Sequence, residues 1–202
     1  MTPYEAKPVF VHPTCDVHPR AVLGADVRVW NWSQIREGAV IGAESVVGQM
    51  AYIGVDVHIG RGCRIMQKVV IDTGVEIGDA VFVGPFVTFT NDDRPRAWAT
   101  RDLTGIRWQV GDGATLGASA VVLPDRHVGH HAFVAASSTV TRNVPPHALV
   151  LGSPARIAGW VCEQGHRMEP GRTTEAGTER TCQECGFEVL IPRDWEEGRW
   201  CP

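Results

Sequence analysis

The sequence predicts an all-β chain wound as a parallel β-helix of triangular cross-section, and three observations predict it. The first is a period of six. From Val11 every sixth residue is apolar: Val17, Leu23, Val29, Ile35, Ile41 and onward to Phe89, and again from Val110 to Val140. The second is glycine, which follows ten of these 20 anchors, as at Gly42, Gly48, Gly54 and Gly60. The third is a small residue, mostly Ala, Ser, Cys or Val, four places after each anchor, with Asp93 and Arg126 as exceptions. Internal repeats of this kind signal a stacked architecture.

Each hexapeptide makes one flat side of the prism. The aliphatic anchor fills the interior, the small residue sits where the chain turns the corner, and the glycine supplies backbone freedom that other residues lack. Three hexapeptides close one coil of 18 residues, and coils stack at the inter-strand spacing of about 4.8 Å. Each coil touches mainly its neighbours, so stability is nearly one-dimensional. Cys15 and Cys63 take the small inward position; 48 residues apart, they fall on different faces and read as core filler.

Between Phe89 and Val110 the period is interrupted by 15 extra residues. Loops this long in compact domains are usually functional or disordered. This one, at about 90–109, carries Trp98, Ile106 and Trp108 among its charges, which favours an arm that docks on a neighbouring subunit. Asn91, Asp92 and Asp93 open it, and Arg94, Arg96, Arg101 and Arg107 follow. Guanidinium groups grip phosphates in bidentate fashion, so Arg94 and Arg96 are candidates to hold a diphosphate. The alternative is pairing with the arm's own aspartates.

The chain has 202 residues, a formal net charge of −4 and a sequence pI near 6.0, so no basic footprint points to nucleic acid. Apolar stretches fall short of the roughly 20 residues of a membrane helix, and the first ten residues do not read as a secretory signal. Four of the six cysteines crowd into the last quarter, a placement that suits a reducing compartment and a metal rather than disulfides. The expectation is a cytoplasmic protein with no membrane partner.

The period stops after Trp160, which divides the chain into a β-helix at 1–160 and a tail at 161–202. The tail holds Cys162, His166, Cys182 and Cys185-Gly186. Two thiols in a Cys-x-x-Cys-Gly knuckle, with Cys162 and His166, supply the four ligands of a closed, structural zinc site. Cys201 is the other candidate for the place of His166. The arrangement resembles a zinc ribbon.

More specific words resemble the hexapeptide-repeat acetyltransferases, and among them the bacterial nucleotide-sugar N-acetyltransferases. They are Gly84-Pro85, Phe89-Thr90-Asn91 and Pro95-Arg96 at the arm entrance, then Gly113-Ala114-Thr115-Leu116-Gly117-Ala118 and Ala132-Phe133-Val134-Ala135. The finish is Ala148-Leu149 and Gly152-Ser153-Pro154-Ala155-Arg156 with Gly159-Trp160; Trp30 and Trp32 resemble the family's early coils. The resemblance implies a left-handed coil and a homotrimer with grooves between adjacent subunits. It implies acetyl transfer from acetyl-CoA to the amino group of a nucleotide-linked sugar. In that family an asparagine at the place of Asn91 hydrogen-bonds the substrate amine. Met66-Gln67-Lys68 stands where the family often has a Gln-Asn-Asn run that meets the substrate; Gln67 is expected to keep that contact, and Lys68 to compensate through a phosphate. Asp72 departs from a frequent aromatic.

Pantetheine is expected along the small residues Gly117, Ala118, Ala135 and Ala136, with Arg156 on the 3′-phosphate of CoA. Acyltransferases that use hydroxyl acceptors need a base, often histidine, and the arm has none. An acyltransferase for another small amine or a hydroxyl, and a non-catalytic binding scaffold, are the competing readings. A three-histidine metal centre of the carbonic anhydrase kind is not expected from the spacing of His127, His130, His131 and His147.

Overall fold

A computed structural model describes residues 8–99 and 108–201, and it is a parallel β-solenoid. Among the described residues one short helix occurs, Arg193–Glu196. Short strands line up in three long sheets. Sheet I has nine strands from Phe10–Val11 to Arg156–Trp160, sheet II seven from Asp16–Val17 to Thr139–Val140, and sheet III five from Val22–Leu23 to Trp108–Val110. Partners are one coil apart, as in Val29↔Val47 and Ile35↔Ile53. Across the insertion the pairs are Ile77↔Val110 and Phe89↔Val122, one coil plus the extra residues, so the arm leaves the solenoid without disturbing its register.

The anchors are the core. Val29, Ile35, Ile41, Ile65, Phe89, Leu116 and Val134 are fully or almost fully buried. Val11, in the first described coil, is exposed. Buried small polar side chains find partners on the next coil: Ser33 Oγ donates to Gly48 O at 2.7 Å and Ser45 Oγ to Gly60 O at 2.9 Å. The Cys63 thiol faces Gly78 O at 3.1 Å in the same way, and burial pushes its pKa up, as befits core filler.

Two expectations about the repeat are corrected. The glycine after the anchor is not there for backbone freedom. A Cβ on Gly42, Gly48, Gly111 or Gly117 would come within 2.5–2.6 Å of the next coil's backbone, so close stacking demands the missing side chain. Left-handed backbone instead falls three places after the anchor, at Asp26, Trp32, Glu44, Met50, Asp56, Lys68 and Phe86 among others. Nor does the small residue turn the corner: it follows the turn and opens the next side, as Val27 does before Arg28–Val29.

Trp108 also departs from expectation. It opens the strand Trp108–Val110, is buried, and donates its indole N–H to Leu123 O at 3.1 Å, so it belongs to the core and not to the arm. Trp98 is 83% exposed. Arg101, Ile106 and Arg107 lie outside the described residues.

The far end of the solenoid is covered. Arg156–Trp160 turns back antiparallel on Ala148–Leu151. Beyond it, Glu169–Thr173, Gly177–Thr181 and Glu188–Pro192 form a three-stranded antiparallel sheet. Trp160, Cys162, Met168, Cys182 and Ile191 join the same apolar cluster as the last coils. A covered end removes an open edge that would otherwise recruit another chain.

Candidate functional site

The prism has three edges, and each collects the turns between two sheets. The edge between sheets I and II carries residues 31–32, 49–50, 67–68, 85–86, 118–119 and 136–137, one pair per coil. Gln67, Lys68, Gly117, Ala118, Ala135 and Ala136 therefore share this edge or its margin. Lys68 is exposed, and its Nζ lies 5.2 Å from the centre of the Phe86 ring on the next coil. Gly117 has no room for a side chain, since a Cβ would lie 2.5 Å from Ala136 N. Arg156 follows the next turn of the edge and shares a groove of about 220 Å³ with Arg142, Glu196 and Glu197. Those carboxylates offset the charge it would offer a phosphate.

Asn91 stands elsewhere, on the edge between sheets II and III, half-buried where the arm leaves strand Thr88–Phe89. Thr90 N–H, bonded to Val122 O at 3.0 Å, anchors that exit. Arg94 Nε is 3.6 Å from Asp93 Oδ1, and Arg94 N–H donates to Asp92 Oδ1 at 2.8 Å. Arg96 is exposed and donates to Pro95 O at 2.8 Å. Sheet II thus separates Asn91, Arg94 and Arg96 from Gln67 and Lys68 within one chain.

In the tail, the candidate ligand atoms of Cys162, His166, Cys182 and Cys185 all lie within 4.8 Å of one another. Cys182 Sγ and His166 Nδ1 are 3.7 Å apart. Tetrahedral zinc, with bonds of about 2.3 Å to sulfur and about 2.0 Å to nitrogen, separates such atoms by about 3.5 Å, so the cluster fits. His166 Nε2 faces Glu184 Oε2 at 3.5 Å, the carboxylate that orients a ligating imidazole. Burial would raise the Cys182 thiol, but the backbone N–H groups of Cys185 and Glu184 and the Cys185 and His166 side chains outweigh it and bring it to about 6. Cys201 is exposed and outside the cluster.

One grouping was not legible in the spacing. His130, His131 and His147 meet on the edge between sheets III and I, with ring centres 5.1, 5.3 and 5.5 Å apart. The coil here is short: Val128 bridges Val144, 16 residues on, which stacks His147 over His131. Counting strictly by 18 misses it. His147 is buried, donates Nδ1–H to Val161 O at 3.0 Å and packs 5.3 Å from the Phe187 ring. Burial pushes its pKa down to about 4. Burial and then His131 lower His130. His130, Asp112, Glu76, His58 and Trp200 line a groove of about 600 Å³ on sheet III.

Residues 56–91 match the family described as bacterial transferase hexapeptide (six repeats). The chain is 34% identical over 140 residues to serine acetyltransferase 4 of Arabidopsis thaliana, covering 68% of this chain and 38% of that protein. It is 47% identical over 51 residues to dTDP-3-amino-3,6-dideoxy-alpha-D-galactopyranose 3-N-acetyltransferase of Aneurinibacillus thermoaerophilus, covering 25% of this chain and 27% of that one. The chain thus spans well under half the length of these curated relatives. Among solved structures, PerB from Caulobacter crescentus in complex with CoA and GDP-perosamine matches with a TM-score of 0.53 and 25% identity, covering 76% of this chain and 58% of that one. The chain is a hexapeptide-repeat β-solenoid of the kind found among acetyltransferases.

Proposed function

We propose that this protein is a cytoplasmic homotrimer that transfers acetyl from acetyl-CoA to the amino group of a nucleotide-linked amino sugar, and that its tail holds a structural zinc ion. The observation that carries the reading is the sharing of one edge by Gln67 and Lys68 with the small-residue strip at Gly117, Ala118, Ala135 and Ala136. An acceptor at the first pair and pantetheine along the second would approach each other end to end. The relative that acts on a dTDP-linked amino sugar and the structure holding CoA with GDP-perosamine support the same reactants.

A neutral sugar amine is a competent nucleophile, since amines of this type titrate not far above neutrality, as an α-amino group does near 7.7–8.0. It attacks the thioester carbonyl, the C–S bond breaks, and the departing thiolate takes the proton. The protein's task is alignment. Asn91, brought by the arm of an adjacent subunit, would hydrogen-bond the amine. Backbone N–H groups would stabilise the oxyanion. When bound, zinc would pin Cys162, His166, Cys182 and Cys185 together and leave no open position for a reaction.

The test is a thiol-release assay with acetyl-CoA against amino sugars linked to UDP, dTDP and GDP. Release that depends on one of them supports the reading; release with none, in protein that binds CoA, rejects it. A second reading, acyl transfer to a hydroxyl, draws on the His130–His131–His147 cluster and the serine acetyltransferase relative. It requires that His130→Asn abolish release with a hydroxyl acceptor.

A further inference from the structure

The position just after the sheet I anchor holds Gly48, Gly84 and Gly117 in later coils and Trp30 in an early one, so the stacking of coils does not call for an indole there. Trp30 is 43% exposed, and its ring centre is 5.5 Å from that of Phe10, which buttresses it from the coil before. Met66 stands two coils on, about 10 Å away at the usual strand spacing, with Gly48 between. The space they bound is a groove of about 280 Å³. Its outer margin is a row of side-chain amides, Asn31, Gln49 and Gln67, one per coil. None of the three amides has a hydrogen-bond partner among the described residues.

An exposed aromatic face beside several free amides is the chemistry that receives a nucleobase: the ring stacks, and the amides, each both donor and acceptor, meet its polar edge. We infer that the Trp30 groove binds the base of the nucleoside diphosphate carried by the acceptor, with Trp30 as the stacking platform and Asn31, Gln49 and Gln67 reading the base edge. Lys68, beside Gln67 and one coil closer to the small-residue strip than Gln49, then meets the diphosphate as it leaves the base. The nucleotide would lie along the edge, base toward the first coils and sugar toward the coenzyme. The inference rests on the reading of the acceptor as nucleotide-linked.

The test is isothermal titration of the full chain with UDP, dTDP, GDP and ADP, and separately with CoA, for the parent, Trp30→Ala, Trp30→Phe and Gln49→Ala. At least one nucleotide should bind. Trp30→Ala should weaken it by about tenfold or more, Trp30→Phe should keep most of the affinity, and Gln49→Ala should alter the ranking of the four bases. CoA affinity should be unchanged throughout, which controls for folding. Parent-like nucleotide affinity in Trp30→Ala, or no nucleotide binding by the parent chain, overturns the inference. Thiol release separates the two readings. Turnover of an amino-sugar nucleotide at the parent KM in Trp30→Ala rejects the base site and leaves acetyl transfer standing. Nucleotide binding that depends on Trp30, with no amino sugar acetylated, does the reverse.

Discussion

Asn91 has no acid–base partner among the described residues, and an amine acceptor needs none. Its proposed contribution is one hydrogen bond that fixes the nucleophile, and a misplaced nucleophile costs rate far more than affinity. Asn91→Ala should therefore lower kcat by about a hundredfold with CoA affinity unchanged, as steady-state kinetics and titration would measure; a parent-like kcat would leave Asn91 a turn residue. The glycines make a different prediction. Gly54 is buried, and a Cβ there would sit 2.8 Å from backbone atoms of Asp72 and Thr73. The clash is with backbone, which cannot rotate away, so Gly54→Ala should destabilise the chain by about 1–3 kcal/mol, read from urea midpoints. The glycine column was plain in the sequence, but its cause was not. Periodicity gives the position of a residue, whereas the approach of neighbouring coils is a tertiary distance.

At the scale of elements, the Cys162–His166–Cys182–Cys185 cluster draws the two ends of the tail's knuckle together, and His147, packed against Val161 and Phe187, ties the tail to the last coil. Zinc that binds only the folded ribbon stabilises it by mass action. Chelation should release one zinc per chain, detected by a colorimetric chelator, and lower the melting temperature of the tail while the solenoid's far-ultraviolet signal persists. The histidine makes the junction acid-sensitive. His147 is held neutral by burial, with its pKa pushed from the ordinary 6.5 down to about 4, and His130 and His131 beside it oppose its charging. Above pH 6.5 folded and unfolded forms are both neutral and nothing is lost. As pH falls from 6.5 towards 4 the unfolded chain binds the proton that the folded chain refuses, so stability declines across that window. His147→Phe should flatten the decline in melts at pH 7 and pH 5. The gathering of Cys162, His166, Cys182 and Cys185 was legible because Cys-x-x-Cys-Gly is a local motif. The histidine cluster was not, because a shortened coil between Val128 and Val144 shifted the register by two residues.

For the whole molecule, the solenoid followed from counting by six, since each anchor must face inward for the coils to stack at all. The division of the site between edges did not follow, because a one-dimensional repeat does not show which edges face each other between chains. Gln67 and Lys68 lie on one edge and Asn91 on another, with sheet II between them. Under the proposed mechanism one prism does not close the site, and a second copy would bring its arm. The exposed side chains of Trp32, Met50 and Phe86 on the first edge are apolar enough to want such cover. A closed ring of three would repeat the contact without leaving an open end. Light scattering should give three times the chain mass of 22.0 kDa. Sharing has a sharper consequence. Asn91→Ala and Lys68→Ala homotrimers should each be nearly inactive, but unfolding and refolding them together in equal amounts creates sites that take Lys68 from one chain and Asn91 from the other. Random assembly makes about a quarter of all sites intact, so the mixture should recover up to about that share of parent activity. A mixture no more active than its parts would place Asn91 and Lys68 in the same chain's site, or Asn91 outside it, and would remove the intersubunit groove from the proposed mechanism.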